Sequence, residues 1–344
     1  MIDIYNRKWT KLDLSRYMGS INQVAGIKPL EASDGFERGG RLFEVWTGSG
    51  LSFHVLPDRA LDISTCQYKG MSLTWCSPIG DAHPAYYDAS GSAWLRSFQG
   101  GMLVTCGLDT FGPPNRNENE EFGLHGRISN TPARVVNHSA AWIKDEYRLE
   151  ISAEVRQARV FGENLVMRRR ISTSLGSNRI RIDDVVTNEG FSTQRHMILY
   201  HVNIGFPLLS ENSSLKFDVS ATAPEDSISN RGVKDWMVFQ PPTSGYIEQN
   251  FIHTPIPNNR GWAMAEVENP DINLGLRLSF DTSTLPFLNQ WKMMGEGLYV
   301  LGIEPMNYGA MKNIEQLNER GFLPSLEAGE SRNYSLEIEV VEYP

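Results

Sequence analysis

The sequence predicts an all-β protein, a large antiparallel β-sandwich, on three observations. Short runs of β-prone residues with alternating polar and apolar positions recur from residue 41 to the end. Turn-forming residues separate them, as at Gly176-Ser177-Asn178 and Asn188-Glu189-Gly190. Strong helical periodicity is nearly absent. At 344 residues the chain could hold two average domains. No linker or shift in composition divides it, so a single domain spanning 1–344 is expected, with residues 1–38 as a lead-in.

In order along the chain, residues 5–17 read as a short helix or as a lead-in that covers a sheet edge. Arg41–Trp46, Leu51–Leu56 and residues 61–66 form a meander, broken by Gly48-Ser49-Gly50 and Pro57-Asp58-Arg59. Residues 77–123 are an irregular excursion rich in Pro, Gly, Asp and Asn. A short helix over 94–103, running into Gly100-Gly101, is its most regular part. Long excursions from a rigid β scaffold often carry sites. Further strands are expected at 132–138, 147–157, 164–175, 179–187, 194–204 and 214–219. Others are expected at 244–250, 261–268, 272–281, 286–292, 298–304 and 332–342. The stretch 241–259 reads equally as a long loop. Residues 313–320 carry the best helical pattern.

Composition excludes several functions. The formal net charge is −9, and phosphate binding needs a concentrated basic surface, so no nucleic-acid partner is expected. Arg168-Arg169-Arg170 is the densest basic run, and in a strand its members fall on alternate faces. No segment approaches the roughly 20 apolar residues of a spanning helix, and no apolar run follows the N-terminus, so no membrane is expected. Cys66, Cys76 and Cys106 are odd in number and match no zinc spacing. Reduced thiols, a cytoplasmic setting, no metal and no cofactor are the expectation.

Five stretches carry candidate chemistry. In the run 195–204, Arg195, Met197, Leu199, His201 and Asn203 share one strand face. The mostly apolar opposite face carries His196, Ile198, Tyr200, Val202 and Ile204. His201 with Asn203 could floor a polar pocket, or end a strand with a satisfied histidine. Glu304 closes an apolar strand, and an unpaired buried carboxylate is costly. It therefore has a partner, lines a pocket mouth, or is exposed at a strand end. Gly123-Leu124-His125-Gly126-Arg127 puts glycines on both sides of a histidine; taken as extended, His125 and Arg127 share a face. Arg59 and Asp62 lie at a turn, where Arg59 could hold a substrate oxygen or simply pair with Asp58 or Asp62. Asn289-Gln290-Trp291 suits a sugar, with Gln290 for hydroxyls and Trp291 for the apolar ring face, and suits an ordinary strand edge as well.

With these stretches in order, the chain resembles the aldose 1-epimerase (galactose mutarotase-like) superfamily. More narrowly, it resembles the bacterial branch of uncharacterised epimerase-like proteins. The resemblance rests on Gly123-Leu124-His125-Gly126-Arg127, on Asp184 to Gly190, on Tyr200-His201-Val202-Asn203-Ile204-Gly205 and on Leu301-Gly302-Ile303-Glu304-Pro305. It implies the large sandwich of that superfamily, with a sugar pocket on a concave sheet face. It implies that His201 protonates the sugar ring oxygen, that Glu304 takes the proton of the anomeric hydroxyl, and that His125 holds the substrate nearby. Arg59, Asp62, Arg127, Asn203 and Gln290 are candidate substrate contacts. The longer sugar-binding signature of related mutarotases is replaced here by Val202, Asn203 and Ile204, which leaves the sugar open. The expected partner is a small carbohydrate, and the expected activity is anomer interconversion of a free aldose. A carbohydrate-binding protein without turnover, or an epimerase or isomerase of a modified or phosphorylated sugar, is the alternative.

Overall fold

The computed structural model describes residues 1–116, 120–310 and 323–344. Strands dominate it. The first group is β1 (Gly26–Glu31), β2 (Arg41–Trp46), β3 (Leu51–Leu56), β4 (Asp62–Tyr68), β5 (Met71–Ser72) and β6 (Val104–Leu108). Long strands follow at β7 (Arg134–Ile143), β8 (Glu146–Ala158), β9 (Asn164–Ser174), β10 (Arg179–Asn188) and β11 (Met197–Gly205). Then come β12 (Ser214–Phe217), β13 (Val219–Pro224), β14 (Gln249–Pro255) and β15 (Trp262–Asn269). The chain closes with β16 (Leu274–Asp281), β17 (Phe287–Gly295), β18 (Leu298–Met306) and β19 (Ser331–Glu342).

These strands form three main sheets. Eight strands run in the order β7-β8-β9-β10-β19-β16-β15-β12, six in the order β13-β14-β17-β18-β11-β6, and five in the order β1 to β5. The eight-stranded sheet shows why alternation was legible. Along β8, Tyr147, Leu149, Ile151, Ala153 and Val155 are buried, and the residues between them are not. The buried set joins one apolar cluster with residues of the other two sheets.

The six-stranded sheet departs from that pattern. Its strand β11 is buried on both faces. Ile198, Tyr200, Val202 and Ile204 face the main core. Met197 and Leu199 join a second cluster with Trp94, Phe98 and Phe111. Those three aromatics come from the irregular excursion, which therefore folds back over the far side of the sheet.

A buried polar network ties the three sheets together. Arg169 on β9 pairs with Asp184 on β10 at 2.6 and 2.9 Å, and with Asp62 on β4 at 2.8 Å. Asp62 also accepts from the Thr105 hydroxyl and backbone N–H at 2.6 and 2.9 Å, on β6. Tyr200 on β11 donates to Asp184 at 2.8 Å. Burial works against the Arg169 charge, but Asp184 and Asp62 outweigh it and hold its pKa above the ordinary value. Arg168 and Arg170, on the other face, are exposed and pair with Glu189 and Asp183.

Several expectations shift. Residues 5–17 begin in the turn of a small hairpin, Ile2–Ile4 with Arg7–Trp9, and only Lys11–Ser15 is helical. The helix expected over 94–103 is a single 3-10 turn at Ala93–Arg96. Gly100 and Gly101 have φ of +71° and +85° and lie against backbone of Trp75 and Ser64, where a side chain would clash. The strand expected at 244–250 is β14, a few residues later, filling the gap between β13 and β17. The helix expected over 313–320 lies outside the described residues.

The network generates a stability test. Arg169→Met leaves Asp62 and Asp184 buried without their cation. Urea unfolding of that variant should show a loss of about 3–5 kcal/mol; a loss near zero would mean that the two carboxyl groups find other partners.

Candidate active site

Strand register assembles the site. Val202 lies opposite Ile303 and Asn203 opposite Gly302, which sets His201 on β11 against Glu304 on β18. On the other side of β18, Asn289 of β17 lies opposite Glu304. The row continues to Val104 beside His201 and Ile252 beside Asn289, both apolar. Neighbouring strands are about 4.8 Å apart, so three polar side chains on successive strands meet directly. His201 Nε2 and Glu304 Oε1 are 3.2 Å apart. Asn289 Nδ2 donates to Glu304 Oε2 at 2.8 Å and to Asn250 Oδ1 at 3.1 Å.

The rows on either side leave room for this one. Two residues along the strands, Asn203, Gly302, Trp291 and Asn250 form the next row. A Cβ at Gly302 would run into the Glu304 carboxyl group and come within 2.9 Å of the Trp291 Cβ. Glycine here is the space the carboxyl group occupies. In the opposite direction the row is Leu199, Met306 and Phe287, all apolar.

Aromatic rings surround the pair. Phe98 and Trp291 have ring centroids 5.3 and 5.4 Å from the His201 imidazole. Trp75 packs between them, and Trp291 Nε1 donates to Glu248 Oε2 at 2.6 Å. His125 approaches His201 edge-on at 5.8 Å and leans on Trp94. Its φ is +59° and that of Gly126 +71°, so this stretch is a left-handed turn and not extended. The shared face expected for His125 and Arg127 is therefore lost. Arg127 is part-exposed and lies 3.8 Å from Glu120. His125 Nδ1 accepts from the Gly112 N–H at 3.4 Å, so in the neutral ring the proton sits on Nε2.

Burial governs the electrostatics. Desolvation, with His125 adding to it and Asn203 opposing, pushes His201 well below the usual histidine range. Desolvation raises Glu304 to about 8; Asn289 opposes that and Glu248 adds to it. His125 falls to about 4 by burial. Near neutral pH the carboxyl group is thus protonated and the imidazole uncharged. His201 Nδ1, Asn203 Oδ1, Asn289 Oδ1 and Glu304 Oε1 are buried without hydrogen-bond partners, so the 3.2 Å approach of His201 and Glu304 is a contact and not a hydrogen bond. Desolvated polar atoms of this kind carry a cost that a hydroxyl-bearing ligand would relieve.

The other sequence candidates divide. Asn203 shares the His201 face, and its Nδ2 donates to Gly101 O at 3.0 Å. Gln290 does not share the Glu304 face. It points to the opposite side of β17, holding His253 at 3.1 Å and Trp236 O at 2.8 Å. Asp62 is consumed by the buried network. Arg59 is buried, donates to Ser129 O and Ala82 O at 3.2 and 3.1 Å, and leaves Nη2 without a partner. Ser129 Oγ accepts from Trp94 Nε1 at 2.9 Å, which links Arg59 to the His125 side of the cluster. Sequence reasoning missed Asn289 by one residue. Leu288, plainly apolar, sets the parity that places Asn289 and not Gln290 beside Glu304 only once register with β18 is known. Phe98 and Trp75 carried no periodic signal.

The profile of a family described as a domain of unknown function (DUF4432) matches residues 37–340. No protein of curated function matches the sequence. Among solved structures, a provisionally assigned aldose 1-epimerase from Klebsiella pneumoniae is 25% identical, with a TM-score of 0.85 over 94% of this chain and 86% of that one. A galactose mutarotase-like protein from Clostridium acetobutylicum is 13% identical, with a TM-score of 0.64 over 93% and 100%. A galactose 1-epimerase from Lactobacillus acidophilus is 11% identical, with a TM-score of 0.60 over 93% and 100%. The fold is the galactose mutarotase-like β-sandwich.

The raised Glu304 pKa has a stability consequence. Between its ordinary value of 4.5 and about 8, the folded chain holds a proton that the unfolded chain releases. Its contribution to stability is therefore full below the ordinary value and is lost as pH rises towards 8. Glu304→Gln removes that loss. Its stability relative to the native protein should increase between pH 5 and pH 8.5, by on the order of a few kcal/mol in denaturant titrations. A pH-independent difference would show that the carboxyl group is ionised throughout.

Proposed function

The chain belongs to the DUF4432 family, and from that premise and the geometry of its site we propose that it is an aldose 1-epimerase-like isomerase, interconverting the anomers of a free aldose by general acid–base catalysis. The observation that carries this reading is the 3.2 Å contact of two buried, oppositely acting groups, His201 and Glu304. Opening a hemiacetal requires a proton removed from the anomeric hydroxyl and a proton delivered to the ring oxygen. Both oxygens are bonded to one carbon, so the acid and the base must be neighbours. A touching pair that holds a single proton meets both demands.

In the proposed reaction, Glu304 as carboxylate takes the proton of the anomeric hydroxyl. The bond from the anomeric carbon to the ring oxygen breaks, and the ring oxygen takes the proton carried by the His201 imidazolium. The free aldehyde turns about its bond to the next carbon, and the reverse steps close the other anomer. Insertion of the sugar separates the pair, and moving the shared proton from Glu304 to His201 creates the required acid and base together. His125, with its proton on Nε2, offers a hydrogen bond to the substrate. Asn203 and Arg59 Nη2 are further contacts for hydroxyl groups, and Trp291 offers a ring face for the apolar side of the sugar. Mutarotation proceeds unaided in water, so a pair giving about 10²–10⁴-fold per step suffices. Among the described residues no helix is long and apolar enough to cross a membrane, and all three cysteines are unpaired, which fits a cytoplasmic setting.

Exchange NMR between α and β anomer signals, across a panel of free aldoses with catalytic amounts of protein, tests the reading. One sugar should exchange faster. Glu304→Gln and His201→Gln should each lower the catalysed rate by about 10²-fold or more, and the double variant should lose little further. Acceleration of no sugar would overturn it.

A further inference from the structure

Asn289 takes no part in the proton transfers just described, yet it touches the group that does. Its amide nitrogen lies within reach of two acceptors, Glu304 Oε2 at 2.8 Å and Asn250 Oδ1 at 3.1 Å. With Asn250 presenting Oδ1, the Asn289 amide meets both acceptors through its nitrogen. An NH₂ group only donates. Glu304 Oε2 is therefore an acceptor in either charge state, and any acid proton must sit on Oε1. That oxygen is the one 3.2 Å from His201 Nε2. We propose that Asn289 is a positioning residue that makes the two oxygens of Glu304 unequal: it anchors Oε2 and directs the exchangeable proton to Oε1, the oxygen on the His201 side.

The surroundings leave this task to Asn289. The titratable groups around the carboxyl group are His201 and Cys106 from the adjoining strands β11 and β6, His125 from the excursion, and Glu248 just before β14. Glu248 repels a charge on Glu304, and the two buried imidazoles are uncharged near neutral pH. Asn289 is the group that works against burial to favour ionisation. Its own Oδ1 remains buried and unpartnered, the far end of an amide committed through nitrogen.

The inference rests on Glu304 acting as proposed above, and its test separates the two. The protonated-carboxyl infrared band that disappears in Glu304→Gln identifies Glu304, and its pH titration needs no substrate. In Asn289→Ala the midpoint should rise by about one unit, and in Asn250→Ala by less, in the same direction. Anomer exchange at pH 7 should fall by up to about tenfold, because without the donor the proton is held more tightly on Glu304 and moves less readily to His201. An unmoved midpoint, whatever the exchange rate, would overturn the inference and leave Asn289 a packing residue. Should Asn289→Ala fail to fold, the part-buried Asn250 carries the test, and an unmoved midpoint in Asn250→Ala overturns it too. Absence of exchange in the native protein would strike the proposed reaction, while the titration still judges Asn289.

Discussion

A carboxyl group and an imidazole, side by side in an apolar layer, are the constraint to which the rest of the site answers. Either group charged alone in that place would be costly. Together they hold one proton and no net charge, which makes their burial tolerable. The apolar flanks of the row, Val104 and Ile252, and the aromatic roof of Phe98, Trp75 and Trp291 keep water away from the pair. The same exclusion pushes the pKa of Glu304 up and that of His201 down. Burial thus sets the protonation of both groups, leaving the proton on Glu304 and the imidazole neutral.

The floor beneath the row is held from below. Tyr200 and Thr105 are cross-strand partners in the row next to His201 and Val104, and both point to the opposite side of the sheet. There they meet Asp184 and Asp62, joined by Arg169. A strand that is polar at one position and core at the next has little freedom to slip, because a one-residue shift would exchange His201 for Tyr200. The buried ion network therefore acts on the site through register, although none of its charged groups faces the pair.

Legibility in the sequence followed periodicity. Alternation marked β2 and β3 to the residue and β8, β9, β10 and β19 within a few residues. It also put His201 and Asn203 on one face. Where conformation broke the period of two, the same reasoning misread direction. His125 sits at positive φ, so Arg127 turns away from it. Arg59 and Asp62 adjoin a turn where Arg59 could pair with Asp58 or Asp62, yet both are buried and bound to partners far along the chain. Gln290 reads as well as Asn289 because a strand's faces can be told apart only by what packs on each, and neither face of β17 is plainly exposed.

By itself the sequence determined the all-β architecture, most strand positions and the parity of β11. These are local properties, carried by side-chain alternation and turn residues within a few positions. Tertiary structure decided which polar side chains meet. The row His201, Glu304, Asn289 joins residues 88 and 103 positions apart, and the roof comes from near residues 75 and 98. Such contacts follow from strand order and register, which depend on the packing of all three sheets at once and leave no local mark in the chain.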